Sequence, residues 1–362
     1  MLFNLLRPLS EHFLLFNLFR YVTFRSGAAC LTALVISLWL GQPLIRWLKS
    51  VQGAGQPIRP DGPERHLTEK KGTPTMGGVL ILSALSVSTL LWADLRNPYV
   101  WVVLLLTLSY GALGFVDDFI KLSKANAKGL SARGKLIAQL ALGLVASYWI
   151  TTLTHGPLGT GVTVPVFKEV LIPLGFFFPL FGMLVMLGFS NAVNLTDGLD
   201  GLAIVPTIIA AGVFALIAYI VGNRIFADYL QVNFIPGVSE LCVLCSALIG
   251  AGLGFLWFNA PPAAVFMGDT GALALGGTLG AVAVAVKHEI VLGIVGGLFV
   301  VELASSLIQV FWYKRTGRRV FLMAPLHHHF EKKGWSEPTI VIRFWIIAMI
   351  LALLGLATLK IR

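Results

Sequence analysis

Charge is scarce in this chain: Asp, Glu, Lys and Arg make up 12% of its 362 residues, against 57% hydrophobic. That balance excludes a soluble protein with one core, because the apolar residues exceed what a single interior hides and come in runs of about twenty. Cysteine is nearly absent, and Cys30, Cys242 and Cys245 all fall within those runs, which excludes a disulfide framework. The CxxC spacing of the last two, inside an apolar helix, reads as packing rather than redox or metal chemistry. No internal repeat, low-complexity tract or separate soluble domain is visible. The first 22 residues lack a small-residue cleavage site, and Arg7, Glu11, His12 and Arg20 interrupt their apolar pattern, so residues 1–22 are expected to form an interfacial helix.

What is present is hydrophobic length, with a mean hydropathy of +0.84. Ten spans are expected, near 26–48, 76–93, 99–118, 134–153, 172–192, 201–222, 240–258, 271–286, 290–313 and 340–359. The fold class is therefore an all-α polytopic membrane protein, one integral domain over residues 1–362. In the loop 154–166, turn residues flank alternating Thr and Val, which predicts a small β-hairpin on the outside.

Lys and Arg are sharply divided between the two sets of loops. Seventeen lie on one side, among them Arg46, Lys49, Lys70, Lys71, Lys121, Lys124, Lys135, Lys314, Arg315, Lys332 and Lys333. The other side holds Arg96, Lys168, Arg224 and Lys287. The rich side is assigned to the cytoplasm, and with ten spans both termini lie outside. The net charge of +10 is thus mostly a topology signal, with anionic lipid head groups of the bilayer as partners and no nucleic acid implied.

Five polar segments fall on that cytoplasmic side. Asp117 and Asp118 end an apolar run at a helix C-terminus, where anions are unfavourable unless something positive sits nearby. Residues 66–78 place Lys70, Lys71, Thr73 and Thr75 before the Gly-Gly pair that opens the second span, an arrangement suited to phosphate. Residues 190–203 crowd Asn191, Asn194, Asp197 and Asp200 into a turn without Lys or Arg. If helical, Asp197 and Asp200 share a face, and that group suits a metal or a sugar and base edge, with Asp200 as an N-cap the plainer alternative. Two prolines precede Gly268-Asp269-Thr270-Gly271, where Asp269 fits a Mg²⁺ site completed by water and phosphate, or else an N-cap. His327, His328 and His329 are consecutive, a poor zinc spacing, and between basic residues they suit phosphate. Glu302, inside a span, has no partner in the sequence and reads as structural or supporting.

Together these groups point to Mg²⁺-assisted chemistry on a phosphorylated substrate at a membrane face. G-F-V-D-D (114–118), N-A-V-N-L-T-D-G-L-D-G-L-A (191–203), F-M-G-D-T-G (266–271), P-L-H-H-H-F-E (325–331) and G-T-P-T-M-G-G (72–78) closely resemble, in this order along the chain, the phospho-N-acetylmuramoyl-pentapeptide transferase family. Phe119 and Phe330 depart slightly, standing where that family often has Tyr.

The resemblance implies transfer of phospho-MurNAc-pentapeptide from UDP-MurNAc-pentapeptide to undecaprenyl phosphate, with Mg²⁺, in the bacterial cytoplasmic membrane. It implies Asp269 as the Mg²⁺ ligand and Asp117 or Asp118 as base or orienting group for the lipid phosphate. Lys70, Thr75, Asn194, Asp197, Asp200 and Phe266 match positions lining the nucleoside pocket, His327, His328 and His329 match the essential His motif, and Lys121 and Lys135 are placed near the pyrophosphate. Whether the protein is a monomer or a homodimer stays open. The rivals are a paralogous transferase that uses a UDP-N-acetylhexosamine, and a secondary transporter, whose coupling carboxylates lie at mid-membrane within repeated halves.

Overall fold

Uncharged runs rich in Leu, Val, Ile and Phe must satisfy every backbone N–H and C=O internally once in lipid, so they fold as helices. The computed structural model describes residues 1–6, 8, 14–53, 72–124, 129–167 and 170–360. Its main helices are α1 (Val22–Gln52), α2 (Gly78–Trp92), α3 (Pro98–Ser123), α4 (Ala132–Leu153), α5 (Phe178–Thr196), α6 (Ile204–Val221), α7 (Leu241–Asn259), α8 (Gly268–Ala285), α9 (Glu289–Val295), α10 (Gly297–Thr316), α11 (Leu326–Lys332) and α12 (Glu337–Ala357). Among the described residues, eight are long and apolar enough to cross a membrane, so this is a multi-pass membrane protein.

Two of the ten expected spans differ from plain crossings. Helix α2 has only 15 residues, about 22 Å at 1.5 Å per residue, which falls short of a bilayer core of about 30 Å. The ninth is broken, with α9 and α10 meeting at 82°. The break falls at Gly296-Gly297, where glycine lowers the cost of leaving the helix. At the start of the chain, the described residues show short helical pieces at Leu2–Leu6 and Leu14–Arg20 where one interfacial helix was expected.

Helix α8 is the innermost element, packed between α3 and α5, with 89% of its apolar window buried. Its small residues permit this depth. A Cβ at Gly276 would lie 2.3 Å from the Phe189 carbonyl oxygen, so the α5 backbone lies directly against α8. Helix α1 runs along α7, and at one end of that contact the buried Arg25 guanidinium donates both Nη groups to Glu240, each at 2.6 Å.

The expected hairpin exists but runs past 154–166, with only its first strand inside that range: β1 (Gly161–Thr163) pairs antiparallel with β2 (Leu171–Pro173), with Gly161 opposite Pro173. The strand at 171–173 also pushes the fifth helix to a later start than the expected 172. Lys287, counted above as a loop charge, is instead fully buried. Its Nζ donates to the Gly159 carbonyl at 2.8 Å and lies 3.6 Å from the Phe178 ring centre, while Thr163 Oγ1 donates to its carbonyl. Burial pushes the ammonium down to about 8, with Glu289 opposing the shift. The lysine thus ties the hairpin to the turn between α8 and α9.

Candidate active site

The apolar run ending in Asp117 and Asp118 does not stop there; α3 continues to Ser123, so both carboxylates sit more than a turn before the helix end. They are 3% and 2% exposed, which rules out a solvated helix terminus. Each has found positive partners on another element.

Asp118 faces the first turn of α8. Met267 is the N-cap of that helix and supplies no side-chain cap. The orphan donors are satisfied from outside: Asp118 Oδ1 accepts the Asp269 N–H at 3.2 Å, and its Oδ2 accepts the Thr270 N–H and hydroxyl at 3.0 and 2.8 Å. An anion at the C-terminal end of one helix thus sits in the favourable field of another helix's N-terminus. Gly114, one turn earlier on α3, makes the approach possible, since a Cβ there would lie 2.2 Å from the Asp269 carbonyl oxygen. Gly114→Ala is therefore expected to lower the unfolding free energy by about 1–3 kcal/mol, read as a reduced thermal midpoint of the purified protein. Gly268 opens α8 at φ +72, a conformation that favours glycine, and a Cβ there would lie 2.6 Å from Asp118 Oδ2. Asp269 is accordingly a first-turn residue and not the N-cap.

Asp117 points the other way. Its Oδ1 accepts the Leu130 N–H at 2.6 Å, and its Oδ2 lies 2.6 Å from Lys121 Nζ. Lys121 also reaches Asp269 Oδ2 at 3.1 Å and Asp118 at 3.7 Å. Lys135, from the first turn of α4, pairs with Asp269 Oδ2 and lies 3.8 Å from Asp117. Asn194 Nδ2, at the end of α5, donates to Asp269 Oδ1 at 2.8 Å. Three carboxylates and two ammonium groups thus interlock and leave one net negative charge. Ligand atoms of the three aspartates lie within 4.8 Å of one another. These are hard oxygen donors of the kind Mg²⁺ takes. Both Asp118 oxygens are held by the α8 backbone and Thr270, so Asp117 and Asp269 are the better placed to turn toward a cation.

Around this centre the loops lock together. Residues 74–78 run beside 266–267: Phe266 N–H donates to the Pro74 carbonyl, Gly77 N–H to that of Phe266 and Gly78 N–H to that of Met267, at 2.8, 2.8 and 2.9 Å. Gln52, at the end of α1, clamps the Thr75 backbone by accepting from its N–H and donating to its carbonyl, at 2.9 and 3.0 Å. The Thr75 hydroxyl is buried, has no hydrogen bond among the described residues and aims at Gly268. Thr75 and Phe266, both assigned to the nucleoside pocket by the resemblance, thus lie on adjoining stretches of loop; Lys70 lies outside the described residues.

The turn 190–203 departs from expectation. Helix α5 ends at Thr196, with Asp197 as its C-cap, so Asp197 and Asp200 do not share a helical face. Asp200 is not an N-cap of α6, whose N-cap is Ala203. Its Oδ2 accepts the Ala263 N–H at 2.9 Å and its own N–H donates to Glu337, which fixes the turn against the proline loop and α12. Asn191 also serves packing: its Nδ2 donates to Gln139 and to the Leu187 carbonyl, a turn deeper than Asn194 and away from the carboxylates.

The three histidines lie on a short helix, α11, rather than a loop, so their rings point in different directions. His327 is fully buried; its Nδ1 meets Glu302 Oε2 at 3.0 Å and its backbone N–H donates to Oε1 at 3.1 Å. His328 Nδ1 meets Glu331 at 2.5 Å. His329 Nδ1 accepts the Leu322 N–H at 3.1 Å, which leaves Nε2 as the donor, and partial burial and the Lys333 charge lower its pKa. Glu331 is the residue missed as a site component, whereas Glu302, expected to be structural or supporting, holds His327. A carboxylate inside an apolar span was the one available signal for Glu302.

The glycosyl transferase family 4 profile matches residues 100–287, and a phospho-N-acetylmuramoyl-pentapeptide-transferase signature matches residues 70–82. The chain is 75% identical over 362 residues to a phospho-N-acetylmuramoyl-pentapeptide-transferase of Granulibacter bethesdensis, with all of both chains covered. It is 68% identical to the protein so named from Gluconacetobacter diazotrophicus, over 98% of this chain and 97% of that one. The Gluconobacter oxydans protein of that name is 65% identical over the whole of both. Similarity of this extent, over essentially the whole of each chain, means that the chain belongs to the phospho-N-acetylmuramoyl-pentapeptide-transferase family.

Proposed function

We propose that the protein transfers phospho-MurNAc-pentapeptide from UDP-MurNAc-pentapeptide to undecaprenyl phosphate, giving lipid I and UMP, the first membrane step of peptidoglycan synthesis. The observation that carries this reading is the convergence of Asp117, Asp118, Asp269, Lys121 and Lys135 at one end of the helix bundle. Phosphoryl-type transfer needs charge neutralisation and positioning more than covalent help, and interlocked carboxylates and ammonium groups supply both. The Lys and Arg distribution supports a cytoplasmic site, in a bacterial inner membrane with both termini outside.

Asp269 and Asp117 would hold Mg²⁺, which when bound supplies positive charge opposite the phosphate oxygens. Lys121 and Lys135 exchange their carboxylate partners for the pyrophosphate oxygens as substrate enters. Thr75, Asp197 and Phe266 form the nucleoside side of the site, to which the family motif also assigns Lys70, and Asp200 acts by holding the loop that carries Phe266. Asn194 orients Asp269. Asp117 positions the acceptor phosphate and takes its remaining proton. A phosphate monoester is largely ionised near neutral pH, with a second pKa of about 6, so direct attack on the β-phosphorus requires no strong base. His327, His328 and His329 are given to the phosphate by their match to the family's His motif.

Substrate choice tests the reading. UMP release from UDP-MurNAc-pentapeptide in the presence of undecaprenyl phosphate is expected, with little from UDP-N-acetylglucosamine; the reverse preference assigns the paralogous activity. Release of UMP without any lipid acceptor, or a trapped phospho-sugar adduct on an aspartate, contradicts direct attack.

A further inference from the structure

We infer that Glu302 is a positioning residue that sets the ring orientation and tautomer of His327. The inference rests on His327 acting on substrate, as proposed above. Glu302 and His327 are both 0% exposed. The carboxylate spans two donors of one residue, taking the backbone N–H on Oε1 and the ring Nδ1–H on Oε2. A carboxylate can only accept, so the ring proton belongs on Nδ1 and Nε2 is left as the atom that can take up or release a proton.

Nε2 is buried and has no hydrogen-bond partner among the described residues. It points at Gly198, where an added Cβ would lie 2.3 Å away, so it faces the turn between Asp197 and Asp200. A buried imidazole nitrogen with its opposite nitrogen fixed by a carboxylate, aimed at a substrate loop, is organised for proton handling. The 82° break before α10 serves this arrangement, because it redirects the helix that carries Glu302.

Glu302→Gln keeps the size and the acceptor for the backbone N–H but turns a donor toward Nδ1, which forces the proton to Nε2. In the full-length enzyme, kcat for UMP release is expected to fall about 10²-fold, with KM for the UDP substrate changed by less than about threefold. Glu302→Asp, which retains the carboxylate, is expected to recover part of kcat. Glu302→Gln combined with His327→Ala is expected to be no slower than His327→Ala alone.

The tautomer is read without any change at Glu302, from ¹⁵N-histidine spectra of the wild-type protein with His327→Asn as the assignment control. A protonated Nδ1 is expected, and an unprotonated Nδ1 overturns the inference. So does Glu302→Gln with wild-type kcat while His327→Ala is inactive. Full activity of His327→Ala instead overturns the catalytic role given to His327.

Discussion

Asp117→Asn is expected to lower the rate of UMP release by about 10²- to 10⁴-fold while leaving thermal stability within about 1 kcal/mol of wild type. The asparagine oxygen can still accept the Leu130 N–H. Losing the charge takes the local sum of three carboxylates and two ammonium groups from minus one to zero; the amide NH₂ turns Lys121 away, but that ammonium is partly exposed and retains Asp269, so it is not stranded. Folding therefore has little to lose. Under the proposed mechanism, catalysis loses the group that receives and orients the acceptor phosphate. Initial rates and thermal unfolding of the same preparation separate the two quantities.

Asp118→Asn is expected to fail in both respects. Its three accepted hydrogen bonds replace the missing cap of α8. An amide has one acceptor oxygen where the carboxylate has two, so its NH₂ must face either the Asp269 N–H or the Thr270 pair. Loss of a cap costs about 0.5–2 kcal/mol, and each buried donor left unpaired about 1–3 kcal/mol. A fall in the unfolding midpoint is expected to accompany at least a 10²-fold loss of rate, because Asp269 sits on the turn that Asp118 holds. On the proposed mechanism the adjacent carboxylates thus divide into one that works on substrate and one that builds the site. An Asp118→Asn protein with wild-type stability contradicts this division.

Much of the architecture is legible in the residues because lipid imposes a simple rule on them. Each of the ten expected spans has a helical counterpart. The break in the ninth has a local cause, the Gly296-Gly297 pair, but hydropathy alone averages over it. The carboxylate centre is legible in outline, since Asp117, Asp118 and Asp269 were expected on one face. Its wiring is not, because every decisive partner is remote in sequence: Asp118 caps a helix that begins 150 residues later, and Glu302 meets a histidine 25 residues on. Spacing misled at Asn191 and Asn194, which share a helical face. Depth along α5 separates them, so one packs against Gln139 and the other reaches Asp269. The pair at 197 and 200 misled for another reason: Asp197 caps α5 and Asp200 lies beyond its end.

The measurement that bears most directly on this account is UMP release by the purified protein with UDP-MurNAc-pentapeptide, undecaprenyl phosphate and Mg²⁺, comparing wild type with Asp269→Asn. Asp269 is where both lysines, Asn194 and the two other aspartates meet, so the variant is expected to lose at least about 10²-fold in rate, with raised Mg²⁺ unable to restore it. A variant that turns over within about threefold of wild type would contradict the placement of phosphoryl transfer at this centre.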